Sequence, residues 1–189
     1  MRIIFMGPPG AGKGTQANKL KSFLNVPHIS TGEIFRNAIS NKTDLGIKAK
    51  TFIDAGELVP DDLTINLIKE RLIEPDCSNG FILDGFPRTL DQAKALDDLI
   101  AELNIEINKI LKLEISEELI ISRIRSRAEK KNSSTRTDDN EKVLRNRLNV
   151  YCEQTQPVCN YYNESNRLSL IDASLSVENV FNEIKSHLG

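Results

Sequence analysis

The sequence has no tryptophan, two histidines and only three cysteines. Cys77, Cys152 and Cys159 form an odd set without a Cys-x-x-Cys pair. Neither a disulfide framework nor a zinc ribbon is indicated. They read as buried or half-buried small apolar side chains, with Cys152 and Cys159, seven apart, on a shared helix face. No run approaches the ~20 apolar residues of a membrane span. The apolar start from Met1 to Met6 is too short for a secretory h-region and leads straight into a glycine-rich loop. Charge of one sign is also missing: 25 basic residues face 27 acidic ones, which argues against a nucleic-acid-binding field. The expectation is a cytoplasmic chain with neither nucleic acid nor membrane as partner.

What is present suits a single globular core. Charged residues make up 28% and hydrophobic ones 39%, outside the disordered range. A length of 189 residues allows one full core with small insertions. Short apolar runs predict strands at Arg2–Met6, Val26–Ile29, Gly80–Leu83, Lys109–Ile115 and Leu168–Ile171. Helical spacing predicts helices at Lys13–Leu24, Glu33–Ser40, Asp44–Ala55, Asp61–Ile73, Leu90–Leu103, Glu117–Arg127 and Val177–Leu188. Ala17, Leu20, Phe23 and Leu24 should line one face of the first, and Leu119, Ile120 and Ile124 are similarly spaced in the sixth. A further helix should start near Asp138 and run toward Tyr162, bent or interrupted near Pro157. Glu129–Asn140 is the one long polar tract and reads as a mobile surface loop. Strands alternating with helices imply an α/β fold, a parallel sheet covered on both faces. The chain divides into one core, residues 1–189, with two mobile insertions at about 30–59 and 126–136.

Gly7-Pro8-Pro9-Gly10-Ala11-Gly12-Lys13-Gly14-Thr15 follows a strand and opens a helix. In that setting Gly-x-x-x-x-Gly-Lys is a phosphate-binding loop. Its glycines let backbone N–H groups converge on an anion, the helix N-terminus adds its positive end, and Lys13 can reach phosphate oxygens. The general motif places Ser or Thr directly after the lysine as a magnesium ligand. Here Gly14 stands there and the hydroxyl comes at Thr15, so the metal is expected to be held by phosphates and water, without a protein ligand. Asp84 ends the apolar run Phe81-Ile82-Leu83. A lone aspartate there would cap a turn; beside this loop it reads as the acid near hydrated magnesium.

Several blocks together resemble the adenylate kinase family, in its short-lid form. They are Gly-Lys-Gly-Thr at 12–15, Ser30-Thr31-Gly32-Glu33-Ile34-Phe35-Arg36, Leu58-Val59-Pro60-Asp61, Asp84-Gly85-Phe86-Pro87-Arg88-Thr89, Arg136-Thr137-Asp138-Asp139 and Arg147-Leu148. The blocks stand in the family's order and span nearly the whole chain. The resemblance implies a P-loop nucleotide kinase fold with a five-stranded parallel sheet. It implies reversible transfer of the γ-phosphoryl of ATP to AMP, giving two ADP, with Mg2+ carried on ATP, by a monomer serving adenine nucleotide homeostasis. It also implies roles by position. Gly10, Ala11, Gly12, Lys13, Gly14, Thr15 and Arg127 would hold ATP, with Arg123 against its adenine and the backbone near Leu175 along it. Thr31, Arg36, Glu57, Leu58, Val59, Gly85, Phe86, Pro87, Arg88 and Gln92 would hold AMP. Arg136 and Arg147 would span the phosphates of both nucleotides. Unlike the long-lid members that carry four lid cysteines, this segment has none, so no zinc is expected. Extra residues, Lys130 to Ser134, separate Arg127 from Arg136.

The chemistry fits these residues. A nucleoside monophosphate is already an oxyanion, so no general base is required and catalysis reduces to positioning and charge stabilisation. His28 and His187 are therefore read as structural. Guanidiniums that grip phosphate oxygens in pairs are what the reaction needs. A UMP/CMP kinase is the nearest alternative, but Thr31 and Thr89 with Gln92 favour AMP. A GTP-dependent switch would be suggested by Asn41-Lys42-Thr43-Asp44, yet that motif precedes the Asp84 strand, and a helix start at Asp44 explains it better.

Overall fold

The computed structural model describes residues 1–129, 141–164 and 167–188, with the backbone alone for 127–129. The polar tract at 130–140, including Arg136, Asp138, Asp139 and the expected helix start, lies outside these residues, as does the Arg127 side chain.

Five strands form one parallel sheet: β1 (Arg2–Met6), β2 (His28–Ser30), β3 (Phe81–Asp84), β4 (Lys109–Glu114) and β5 (Leu168–Asp172). Their order is β2-β3-β1-β4-β5. Alternation along the strands sorts the core into two layers. Ile3, Phe5, Ile82, Leu111, Leu113 and Ile171 face α1 (Lys13–Leu24) and α9 (Val177–Ser186). Ile4, Met6, Ile29, Phe81, Leu83 and Ile110 face the other way. There they meet α4 (Asp61–Leu72), α5 (Leu90–Glu102) and α8 (Gln156–Glu164). β1 and β3, buried on both faces, read as continuous apolar runs, which is why they were visible in the sequence.

The chain leaves β1 toward β2, whereas it leaves β3 across β1 toward β4. Connections departing in opposite directions open a crevice beyond the carboxyl ends of β1 and β3. The register places Asp84 beside Phe5 on one side and Ser30 on the other.

Between β2 and β3, α2 (Thr31–Ser40), α3 (Asp44–Ala55) and the start of α4 enclose a small core of their own, centred on Phe35, Ala49 and Val59. Asn41 to Thr43 is the turn between α2 and α3. The Thr43 hydroxyl caps α3 by accepting from Gly46 N–H, so the Asn-Lys-x-Asp pattern is interhelical turn chemistry. After β4 come α6 (Glu117–Glu129) and α7 (Glu141–Val150).

Three expectations, on Phe23, Leu119 and Cys152, need correction. Phe23 is 59% exposed and lies edge-on to Phe181 of α9, because the inward stripe of α1 runs through Gln16, Ala17 and Leu20. Leu119 is exposed while Ile120 and Ile124 are buried. The interruption expected near Pro157 takes the form of a π turn, Tyr151–Thr155, in which Gln156 N–H donates to Tyr151 O. Pro157 has no N–H for the Glu153 carbonyl, so a wider turn there is a local solution. That extra residue shifts the helical phase, and Cys152 becomes exposed while Cys159 is buried.

The backbones of α2 and α3 approach closely at Gly46, where an added Cβ would stand 2.1 Å from Ala38 O. Gly46→Ala should therefore destabilise the fold by about 1–3 kcal/mol, the usual cost of overpacking. Urea unfolding would show this as a lower midpoint.

Candidate active site

The crevice is entered from β1 through Gly7. Its φ is +133°, and a Cβ there would lie 2.7 Å from Leu113 O on β4. Only glycine leaves room for the chain to turn here. The loop closes at Gly12, and α1 begins without a side-chain cap, so its first N–H groups face out at the helix's positive end. Lys13 Nζ donates to Gly7 O at 2.7 Å and to Pro8 O at 2.9 Å. Burial pulls the Lys13 ammonium from 10.5 down to about 8; Asp84 opposes that shift and the Arg88 and Arg147 charges reinforce it. Asp84 is 8% exposed. Burial works against its charge, but the hydrogen bond with His28 and the Lys13, His28 and Arg88 charges outweigh it and hold the carboxyl below its ordinary value. His28 Nε2 lies 3.4 Å from Asp84 Oδ2, which gives the structural histidine a definite partner.

Beyond the loop lies a cleft of about 980 Å³ of empty space, open mouth included. It brings together Lys13, Thr31, Arg36, Glu57, Leu58, Val59, Gly85, Pro87, Arg88, Gln92 and Arg147. Thr31 Oγ1 donates to Gly85 O at 2.8 Å, and Arg88 Nε donates to the same oxygen at 2.9 Å. Gly85 has φ +82°, and a Cβ there would stand 2.8 Å from both Thr31 Oγ1 and Arg88 Nη2. The turn after Asp84 thus depends on glycine to bring these two side chains together.

Not every expected site residue lines this cleft. Phe86 is 1% exposed and belongs to the sheet core, so it supports the turn from behind. Gly10, Ala11, Gly12, Gly14 and Thr15 form the loop's end and the start of α1, outside the cleft lining. On that side Arg123 donates to Ala11 O at 3.3 Å and to Ala173 O at 2.7 Å. Gln16 Nε2 donates to Val177 O at 3.0 Å. These two side chains fasten the β5–α9 turn, with the exposed Leu175, beside the phosphate loop.

Sequence reasoning missed Phe35, Ile53, Thr64, Val150, Tyr151 and Thr155, which also line the cleft. The signal was present for Tyr151 and Thr155. Pro157 marks the helix whose π turn carries Tyr151 and Thr155 into the cleft wall, where Thr155 Oγ1 donates to Arg88 O at 3.1 Å.

Such an arrangement, a phosphate loop at a parallel-sheet switch point with guanidiniums across the cleft, defines a P-loop nucleotide phosphotransferase. Comparison with known proteins narrows the class. The family model described as "Adenylate kinase" matches residues 5–167. The chain is 48% identical to an adenylate kinase of Leptospira biflexa over 183 residues, covering 97% of each chain. It is 45% identical to one from Mycobacterium sp., covering 100% of this chain and 99% of the relative. A third, from Clostridium perfringens, is 42% identical across a 213-position alignment that covers 100% of this chain. The chain belongs to the adenylate kinase family, whose members are ATP:AMP phosphotransferases. Neither the pyrimidine kinase nor the switch-protein alternative is favoured.

The depressed Lys13 pKa has a measurable effect. The unfolded chain holds this proton up to about 10.5 and the folded chain only to about 8, so the unfolded state binds more protons between those values. Stability contributed at this site therefore rises with pH across that window. Relative to Lys13→Met, the parent protein should gain stability from pH 8 to 10.5 and show a constant difference below pH 7. Denaturant melts at stepped pH would check the sign.

Proposed function

We propose that this chain transfers the γ-phosphoryl group of ATP to AMP, reversibly, and that the cleft described above is its AMP side. The observation that carries this reading is the meeting of Lys13, Arg36, Arg88 and Arg147 around one cleft beside the phosphate loop. Arg36, Arg88 and Arg147 would hold the phosphate of AMP in line with the transferring group. Thr31, the Glu57–Val59 backbone and Gln92 would hold the nucleoside, so the segment 30–59 acts as the AMP-binding insertion. Lys13 and the N–H groups from Gly10 to Thr15 would hold the ATP phosphates, with the Arg123–Ala173 contact and Leu175 bordering the ATP base. Because the acceptor is already an oxyanion, these charges need only to position and to stabilise. The expected shares of Arg127 and Arg136 concern groups outside the described residues.

Family members use magnesium with ATP. Asp84 fits such an ion: its carboxylate is held ionised, and its Oδ2 faces the start of α1, 3.7 Å from where a Cβ on Gly14 would stand. It would act on the ion's water shell, and the ion would neutralise phosphate charge. Among the described residues no cluster of His, Cys, Asp or Glu could hold a metal alone. Work as a cytoplasmic monomer on free nucleotides, without nucleic-acid or membrane partners, rests on the even charge balance and the family resemblance.

Coupled measurement of ADP formed from ATP and AMP tests the activity. Lys13→Met should lower turnover about 10²-fold or more, as loss of one preorganised charge does elsewhere. AMP should be far preferred over UMP and CMP. Gln92→Ala should weaken AMP use more than ATP binding, and equal rates with UMP and AMP would overturn the assignment of Gln92.

A further inference from the structure

We propose that Asp61, acting with the Arg88 backbone N–H, sets the base selectivity of the acceptor site by holding the Gln92 carboxamide in one orientation. The proposal rests on the reading above in which Gln92 meets the acceptor base. Asp61 opens α4, directly after the loop that borders the cleft, and its carboxylate reaches across to the first turn of α5. Gln92 Nε2 donates to Asp61 Oδ1 at 2.7 Å, and the Thr89 hydroxyl donates to Asp61 Oδ2 at 2.7 Å. Thr89 Oγ1 in turn accepts from Gln92 N–H at 3.1 Å, and Gln92 Oε1 accepts from Arg88 N–H at 2.8 Å.

This closed set of contacts has one consistent polarity. A carboxylate only accepts and a backbone N–H only donates, so the nitrogen of the Gln92 amide must face Asp61 and its oxygen must face Arg88. Gln92 is 2% exposed, which leaves little water to rescue a reversed amide. Asp61 holds both the side chain of Gln92 and, through Thr89, its main chain. The second lock, Arg88 N–H, belongs to the backbone; Asp61 is the lock that substitution can remove.

Polarity matters because purine bases differ in it. Adenine offers a 6-amino donor beside the N1 acceptor. A 6-oxopurine such as hypoxanthine offers an O6 acceptor beside an N1–H donor, on nearly the same shape. A carboxamide of fixed polarity can complement only one of these, whereas a carboxamide free to turn over can complement either. By keeping the amide from turning, Asp61 makes the site discriminate between AMP and 6-oxopurine monophosphates. A merely structural Asp61 would stabilise the start of α4, a role that its neighbour Asp62 shares.

The experiment compares steady-state kinetics with AMP and with IMP as acceptors, at saturating ATP. It uses the full chain, Asp61→Ala, Asp61→Asn and Gln92→Ala, with melting temperatures as a control for folding. In Asp61→Ala, KM for AMP should rise about tenfold while kcat changes less than about threefold. The AMP-to-IMP ratio of kcat/KM should fall about tenfold or more. Asp61→Asn, whose Oδ1 can still accept from Gln92 Nε2, should recover most of that ratio. If Asp61→Ala does not fold, Asp61→Ser carries the same test, since serine suits a helix start but is too short to reach the amide. An unchanged ratio in the folded Asp61 variant, alongside a lowered ratio in Gln92→Ala, would overturn the proposal and leave Gln92 as the base reader. An unchanged ratio in Gln92→Ala would remove Gln92 from base recognition, and the proposal with it.

Discussion

A lysine ammonium carried at the mouth of a sheet crevice, against burial and against two neighbouring guanidiniums, is what the rest of this structure is arranged around. Lys13 stands beside Arg88 and Arg147, whose charges add to the effect of burial, and Asp84 opposes them. Left alone, such crowding of like charge would drive the elements apart. The parallel sheet prevents this by fixing the end of β1 next to the end of β3, and two buried layers of apolar side chains hold the sheet. The site is electrostatically costly in its own fold and complementary to an anion of several charges, which is the condition for binding energy to be directed at phosphate.

The supporting parts follow from that arrangement. His28 faces Asp84 from the adjoining strand and helps to keep it ionised. Gly85 lets Thr31 and Arg88 meet on one carbonyl oxygen, so the side chains of two separate elements are positioned by a single backbone atom. Thr155 reaches the backbone of Arg88 from the π turn. Arg123 joins the phosphate loop to the turn after β5. Each contact ties a charged side chain, or the backbone carrying it, to rigid structure, which is how a phosphate site keeps its geometry.

Much of this was legible from residues alone, because strong local signals coincide with the site. The apolar run before Gly7, the glycine spacing and Lys13 are consecutive in the chain, and so are Asp84 to Arg88. Both blocks lie at strand ends, where the doubly wound topology gathers them. The illegible parts depend on helical phase and on contacts distant in sequence. Phe23 falls just off the inward stripe of α1, a matter of one position in 3.6. Cys152 and Cys159 part company because the π turn adds a residue between them, and a spacing rule assumes an uninterrupted helix. Phe86 stands in a block of site residues, yet its ring points into the core, since a turn beside a sheet needs an anchor as well as a functional face. The link from Asp61 to Gln92 crosses 31 positions and has no local signature.

The small core around Phe35, Ala49 and Val59 is separate from the two layers on the sheet. A cooperative unit opens at a free energy set by the apolar surface it buries, and this one buries little. Residues in α2 and α3 can therefore exchange their amide hydrogens through openings that leave the five strands intact. The protein has, in effect, two melting problems: a sheet with two buried layers, and a two-helix unit whose population of open states is tunable by a single substitution in its own small core.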